Sequence, residues 1–255
     1  WEECAKLGIP VLIHSGEPKA FFDPIDKFNE RWLHAREKPN SFRVGEQYPS
    51  FEKVMKEQHN MFRKHPKTTF INAHFGWYGN DLGRLSKQLS ELTNVYVEFG
   101  AVINELGRQP STARRFFEDY QDRILFGKDI YKMDEYYIYF QVLETDDEYI
   151  EYYRKRHGQW RLYGLNLSDE ILKKVSKPIE KFGTNEKKLI NDLFDTMYNS
   201  NGIGLAAVQV GILKRVLVVD VSNKNEEKNP ITLINPVIKK LSDDTSVYEE
   251  GCLSI

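Results

Sequence analysis

The chain has 255 residues, of which 40% are hydrophobic and 29% are charged, as expected for a folded protein of one large or two ordinary domains. Its formal net charge of -2 gives no electrostatic reason to bind nucleic acid or an anionic membrane surface, so we expect neither as a partner. No apolar run approaches the roughly 20 residues that a membrane-spanning helix needs.

The cysteines and the first residue bear on the compartment. Cys4 and Cys252 are far apart and form no disulfide framework, which favours a reducing, cytoplasmic location. Residue 1 is Trp rather than Met, so we expect the start to be a processing site or a cut.

Four apolar runs, each closed by or close to a polar residue, predict buried parallel strands in the first part of the chain. They cover residues 9–14, 69–74, 95–99 and 124–129. Helical stripes lie between them, at residues 51–62, 82–92 and 113–120. This alternation predicts βα units with right-handed crossovers. The irregular interval of residues 18–49 has the composition of an insertion over the mouth of a site.

The ends of these strands carry the chemical signal. His14, His74 and Asp129 close the first, second and fourth of these runs, and Glu98 is near the end of the third. Carboxyl ends of parallel strands meet at one edge, and two imidazoles with a carboxylate suit Zn²⁺ or a similar ion that activates water. Each residue taken alone is more often an ordinary polar strand terminus.

The segments VLIHSGEP, FINAHFGW, NVYVEFGA and RILFGKD resemble the later strands of the metal-dependent amidohydrolases, a TIM-barrel family. The resemblance covers residues 1–167. It implies that His14 is a metal ligand, that His74 is a ligand or catalytic base, and that Asp129 binds metal and handles protons.

Three features depart from that family pattern. The chain contains no His-x-His, and the match supplies about four of the eight βα units of the barrel. Lys128 stands beside Asp129, where a cation would lower the aspartate's pKa or compete with the metal.

The histidines His34, His59, His65 and His157 lie in helical or charged contexts, and we expect them to be solvated.

The second part of the chain, residues 168–255, has a different pattern. A helical stripe over residues 189–197 is followed by a Gly/Ala-rich turn at residues 202–209 and by apolar strands at 216–221 and 233–238. Near its end lies Cys252, which taken singly is a small core residue, a nucleophile or a metal thiolate.

The pair GIGLAAVQVG and EGCLS resembles peptide deformylase, as does KKVSKPIEKF. That resemblance implies that Cys252 binds a catalytic Fe²⁺ or Zn²⁺. It also implies that Gln209 and the Leu253 N–H stabilise the oxyanion, and that Gly202, Ile203 and Gly204 hold the peptide. The His-Glu-x-x-His segment that completes the family's metal site is absent from the sequence.

The sequence therefore predicts a partial TIM-type barrel at residues 1–167 and an incomplete α+β deformylase-like domain at residues 168–255. The first hypothesis is a metal-dependent hydrolase of C–N bonds that removes formyl groups from formyl-methionyl peptides. The alternatives are a small-molecule amidohydrolase or decarboxylase, and a chimeric or truncated chain without a complete active site. Under the last, we expect weak metal binding and no deformylation. The oligomeric state and the small-molecule substrate are left open.

Overall fold

The computed structural model describes residues 1–128, 133–175, 183–207, 214–222 and 227–236. Its helices are α1 Glu2–Leu7, α2 Trp32–Glu37, α3 Phe51–Lys64, α4 Leu82–Glu91, α5 Ile103–Leu106, α6 Pro110–Tyr120, α7 Met133–Glu144, α8 Asp169–Val175 and α9 Thr184–Asn199. Its strands are β1 Val11–Ile13, β2 Phe70–Asn72, β3 Val95–Glu98, β4 Ile124–Leu125, β5 Ile150–Glu151, β6 Arg161–Leu162, β7 Gly204–Ala206, β8 Val216–Val219 and β9 Ile231–Ile234. These described residues divide into two compact units, one up to Val175 and one from Gly183 onward.

The first unit is built on a four-stranded parallel sheet in the order β1-β2-β3-β4. Each strand lies within one of the four predicted apolar runs, and the connections carry the predicted helices, so these predictions are confirmed. Ile13 pairs with Asn72, and Asn72 pairs with Val97. This register brings the residues that follow β1, β2 and β3 to one edge of the sheet.

Side chains cap two helices of the first unit, and the buried faces of its helices follow the predicted stripes. Ser50 caps α3, and its hydroxyl accepts a hydrogen bond from the Lys53 N–H at 3.3 Å. Asp81 caps α4 in the same way through the Arg84 N–H at 3.0 Å. The buried positions of α3, α4 and α6 recur at helical spacing: Phe51, Met55, Gln58, Phe62, Leu82, Leu85, Gln88, Leu89, Ala113, Phe116 and Phe117. These faces cover the buried side of the sheet, where Phe70, Val95, Val97 and Ile124 are almost fully enclosed.

Arg123 ties the start of β4 to the start of β3. Its Nε donates to the Val95 carbonyl at 2.8 Å, and its Nη2 donates to the carbonyls of Leu92 and Val95. The guanidinium also lies 5.3 Å from the ring centroid of Tyr96. One side chain therefore satisfies carbonyls that precede and open β3.

The predicted insertion forms a separate small apolar cluster. Phe21 and Phe42 pack with ring centroids 4.8 Å apart, and Ala35 of α2 is buried beside them. The side chain of Asn29 donates to the Ala20 carbonyl at 2.8 Å and braces the loop. Residues 46–49 of this segment border a cavity next to Ser15, described below.

The second unit packs α9 on an antiparallel sheet in the order β7-β8-β9. Leu193, Met197, Leu205 and Val218 are at its centre. The predicted strand at residues 216–221 is confirmed by β8. The predicted turn at residues 202–209 is wrong in part, because Gly204–Ala206 is strand β7 and pairs with Val219–Leu217. The chain is thus a mixed α/β protein whose first unit holds a parallel sheet.

Candidate functional site

His14 and His74 lie side by side at the carboxyl ends of β1 and β2. Their ring centroids are 4.8 Å apart, and the rings meet edge to face at 83°. Trp77 packs against both, with centroid distances of 5.5 Å to His14 and 4.6 Å to His74. The His14 ring is exposed, whereas the His74 ring is buried. The structure therefore brings together two of the three predicted metal ligands on one wall.

A left-handed loop places His74. The φ angles of His74, Phe75, Gly76 and Trp77 are 57°, 53°, 58° and 60°. Non-glycine residues in this region are strained, and they persist only where packing holds them. Phe75 supplies that packing, since its fully buried ring lies 5.4 Å from Phe116 between centroids. The core under the loop therefore holds the left-handed backbone on which His74 is carried.

The tautomer of His74 follows from its hydrogen bonds. Nδ1 lies 2.8 Å from the Gly100 carbonyl oxygen. A carbonyl only accepts, so Nδ1 carries the proton, and Nε2 of the neutral ring keeps its lone pair. Glu98 lies close by, with Oε2 3.2 Å from the His74 N–H and 3.8 Å from Nδ1. The lone pair on Nε2 suits either a metal ligand or a general base.

A polar chain links the two strand ends to α3. Gln58 donates from Nε2 to the Ser15 hydroxyl at 2.9 Å and accepts from the Asn72 Nδ2 at 3.0 Å. Next to Ser15 is a cavity of about 700 Å³ with a largely apolar lining. Its walls are Ser15, Glu46, Gln47, Tyr48, Pro49, Lys53, Val54, Glu57, Gln58 and Met61. One wall of the cavity is thus Ser15, which follows His14 in the chain.

The donor set partly fits the predicted metal. Two adjacent imidazoles are ligands that Zn²⁺ and Fe²⁺ accept. Asp129, the third predicted ligand, lies outside the described residues. Within the described ranges no group of three His, Cys, Asp or Glu side chains is arranged to hold a metal ion. His14 and His74 therefore account for the described portion of such a site, and their role as ligands stays a prediction.

Lys128 is paired within the first unit. Its ammonium group bonds to Glu135, and its side chain is only 2% exposed. Arg154 reaches the same carboxylate at 3.2 Å. Burial raises the pKa of Glu135, but the hydrogen bonds from Lys128 and Arg154 outweigh this and hold that pKa below its usual value. Glu135 thus balances the positive charge that the sequence placed beside Asp129.

The prediction that His157 is solvated is wrong. His157 is 7% exposed, stacks on His34 with centroids 4.9 Å apart, and lies 3.4 Å from the Arg31 Nη1 through its Nδ1. Burial and the Arg31 charge lower the pKa of His157 to about 3, so the ring is neutral at physiological pH. His34 is half-buried and its pKa is also lowered, first by burial. The sequence did not predict this burial, because the neighbours of His157 in the chain are charged and its packing partners come from distant segments.

Glu105 is a buried carboxyl that the sequence did not single out. It is 5% exposed, and its Oε2 has no hydrogen-bond partner among the residues that the structure describes. Burial raises the pKa of Glu105 to about 7, although Arg31 opposes the shift. Nothing in the spacing of INELGRQP signals this burial, which arises from long-range packing.

Of the predicted deformylase residues, only Gly202, Ile203 and Gly204 are described. The Gly202 N–H donates to the Met197 carbonyl at 2.8 Å, just after the end of α9 at Asn199. Ile203 is largely exposed, and Gly204 opens β7. Gln209, Cys252 and Leu253 lie outside the described residues, so their placement is not tested.

The comparison with protein families follows this division of the chain. The family model described as amidohydrolase matches residues 1–176. The chain belongs to the amidohydrolase family. A second family model, polypeptide deformylase, matches residues 165–255 of this amidohydrolase chain. The two matches overlap at residues 165–176, which include α8.

Relatives of the second segment are peptide deformylases. That of Pelagibacter ubique is 49% identical over 91 residues, 36% of this chain and 53% of that protein. That of Agrobacterium fabrum is 52% identical over 89 residues, 35% of this chain and 52% of that protein. The crystal structure from Thermotoga maritima is 48% identical over 34% of this chain and 55% of that chain, with a TM-score of 0.29. The amidohydrolase chain spans about half the length of the curated relatives it matches.

None of the helices that the structure describes has the length and apolarity needed to cross a membrane.

Proposed function

We propose that the first unit is part of a TIM-type barrel and hydrolyses a C–N bond of a small molecule with the help of a divalent metal. The observation that carries this proposal is the juxtaposition of His14 and His74 at adjacent parallel strand ends. It occurs within the segment that matches the amidohydrolase family. Both families to which the chain is similar generally use a divalent metal, here Fe²⁺ or Zn²⁺.

Each residue has a defined task in this proposal. His14 and His74 would hold the metal through imidazole nitrogens, and Asp129 would be the third ligand and would move a proton. A metal held there would supply an activated water molecule. The Gly100 carbonyl keeps the His74 proton on Nδ1, and the cavity beside Ser15 holds the body of the substrate.

Metal content tests this function directly. We expect the full chain, loaded with Zn²⁺ and dialysed, to retain metal, and expect His14→Asn and His74→Asn each to lose it. His65→Asn is the matched control, because His65 lies at the end of α3 outside the site. Equal metal content in all four proteins would contradict the proposal. A panel of N-acyl and cyclic amides then identifies the substrate by hydrolysis that depends on His74.

A second candidate function is favoured by the deformylase match. We propose that residues 168–255 contribute to removal of the formyl group from formyl-methionyl peptides. Cys252 would bind the metal, Gln209 and the Leu253 N–H would stabilise the oxyanion, and Gly202, Ile203 and Gly204 would hold the peptide. The sequence identity of about 50% to several peptide deformylases supports this.

The second function has its own test. We expect formate release from formyl-Met-Ala-Ser when the chain is extended by a His-Glu-x-x-His segment of a deformylase. Cys252→Ala should abolish that release, whereas His14→Asn should leave it unchanged. An extended, folded chain that releases no formate would contradict the proposal.

The overlap of the two family matches supports a fusion of two hydrolase segments. We propose that residues 1–167 and 168–255 form two domains, with the junction near the start of α8.

A further inference from the structure

Glu98 bridges the loops that follow β2 and β3. Its Oε2 accepts a hydrogen bond from the His74 N–H at 3.2 Å, and its Oε1 accepts one from the Gly100 N–H. The Glu98 side chain is 12% exposed, so both bonds are largely shielded from water. Hydrogen bonds to a carboxylate are stronger than those between neutral groups. One side chain therefore holds the two loops together.

Gly100 links Glu98 to the His74 ring. Its N–H donates to Glu98, and its carbonyl oxygen accepts from the His74 Nδ1 at 2.8 Å. The separation of 3.8 Å between Glu98 Oε2 and Nδ1 is too long for a hydrogen bond. Glu98 therefore acts on the ring through the main chain on either side of it.

The fold leaves room for this carboxylate at Gly127. A Cβ atom at residue 127 would lie 2.6 Å from the Cδ of Glu98, closer than two unbonded carbons approach. Tyr139 braces the same loop independently, since its hydroxyl accepts from the Ala101 N–H at 3.0 Å. The position of Glu98 thus depends on a glycine in the segment after β4.

We propose that Glu98 is a positioning residue for His74, holding its ring so that Nδ1 is the protonated nitrogen and Nε2 is the acceptor at the site. Only the identity of the group that Nε2 binds rests on the proposed amidohydrolase function. The geometry of the ring and its tautomer is independent of that function.

The tautomer is measurable without substrate or metal. Long-range ¹H–¹⁵N spectra of the full chain, assigned with His74→Asn, should show His74 protonated at Nδ1. We expect Glu98→Gln to give a mixture of tautomers, because its amide nitrogen faces an N–H that needs an acceptor. We expect Gly127→Ala to do the same, because the added methyl group displaces an unchanged carboxylate. The control is Glu118→Gln on the exposed face of α6, which should keep the single tautomer.

Metal affinity is the second measurement that tests the role of Glu98. Co²⁺ titrations should show about a 10- to 100-fold weaker Kd in Glu98→Gln than in the wild type, as for other residues that orient ligands. Glu98→Asp keeps the charge but shortens the side chain, so we expect a smaller loss. A single Nδ1–H tautomer in folded Glu98→Gln and Gly127→Ala would overturn the inference. A wild-type chain that binds no Co²⁺ would instead overturn the proposed function and leave the tautomer result to decide the role of Glu98.

Discussion

Glu105 shows how one buried residue makes stability depend on pH. Its carboxyl is 5% exposed, and its Oε2 has no hydrogen-bond partner within the described part of the chain. The folded state therefore favours the protonated form, which is why its pKa is raised to about 7. Between the unfolded value of 4.5 and this folded value, the unfolded chain loses the proton that the folded chain keeps. Stability consequently falls as pH rises through this window and levels off above it.

Replacing this carboxyl by an amide removes the titration. We expect Glu105→Gln to gain stability relative to the wild type on going from pH 4.5 to pH 8, by roughly 3 kcal/mol. Urea unfolding of both proteins at the two pH values measures the difference. Glu118→Gln, at an exposed position, should show no such gain. Wild type and Glu105→Gln curves that stay parallel with pH would show that Glu105 is not the group responsible.

The loop at residues 74–77 is the element on which the candidate site depends most. Gly76 has a φ of 58°, and a Cβ there would lie 3.0 Å from both the Asn72 Cγ and the Gln58 Oε1. Glycine is needed for the left-handed backbone and for the close approach of these amides. The loop and the Ser15–Gln58–Asn72 chain are therefore coupled through this one position.

A pair of glycine substitutions tests the loop. We expect Gly76→Ala to destabilise the protein by about 1–3 kcal/mol, because it strains the backbone and displaces the bond between Asn72 and Gln58. Gly83→Ala in α4 should instead be neutral or stabilise by up to about 1 kcal/mol, since Ala favours a helix and the nearest atom is 3.7 Å away. Thermal unfolding of both variants measures the contrast. A Gly76→Ala protein as stable as Gly83→Ala would mean that the loop is not held as described.

Sequence predicted most elements of the first unit, because apolar runs and helical spacing are local signals. It missed β7, since Gly204 and Ala206 have low strand propensity and become a strand by pairing with β8. It placed His14 and His74 at neighbouring strand ends but not the left-handed loop, which Phe75 stabilises from the core. The sequence did not predict the burial of Glu105 and His157 either, because the segments that bury them are far away in sequence.

At the scale of the whole molecule, the described residues form two large apolar clusters that share no residue. Met55 belongs to the first and Met197 to the second, and both are fully buried. Each methionine lies on a helix that covers a sheet of its own unit. Loss of either side chain therefore acts first on the cluster that contains it.

Matched methionine variants test this independence. We expect Met197→Ala to cost about 2–5 kcal/mol in the second cluster and to lower hydrogen-exchange protection in β8 but not in β3. Met55→Ala should do the reverse. Protection that falls equally in both sheets for either variant would show that the two clusters unfold together.

Arg123 has a consequence for the opposite end of the sheet. Strand β4 has only two residues, and they align with Val97 and Glu98. A slip of one residue would move Gly127 away from the Glu98 carboxylate and put a side chain in that space. The Arg123 guanidinium bonds to the carbonyl groups at the start of β3 and so fixes the register of β4 at that edge of the sheet. The packing around His74 at the opposite edge depends on this register.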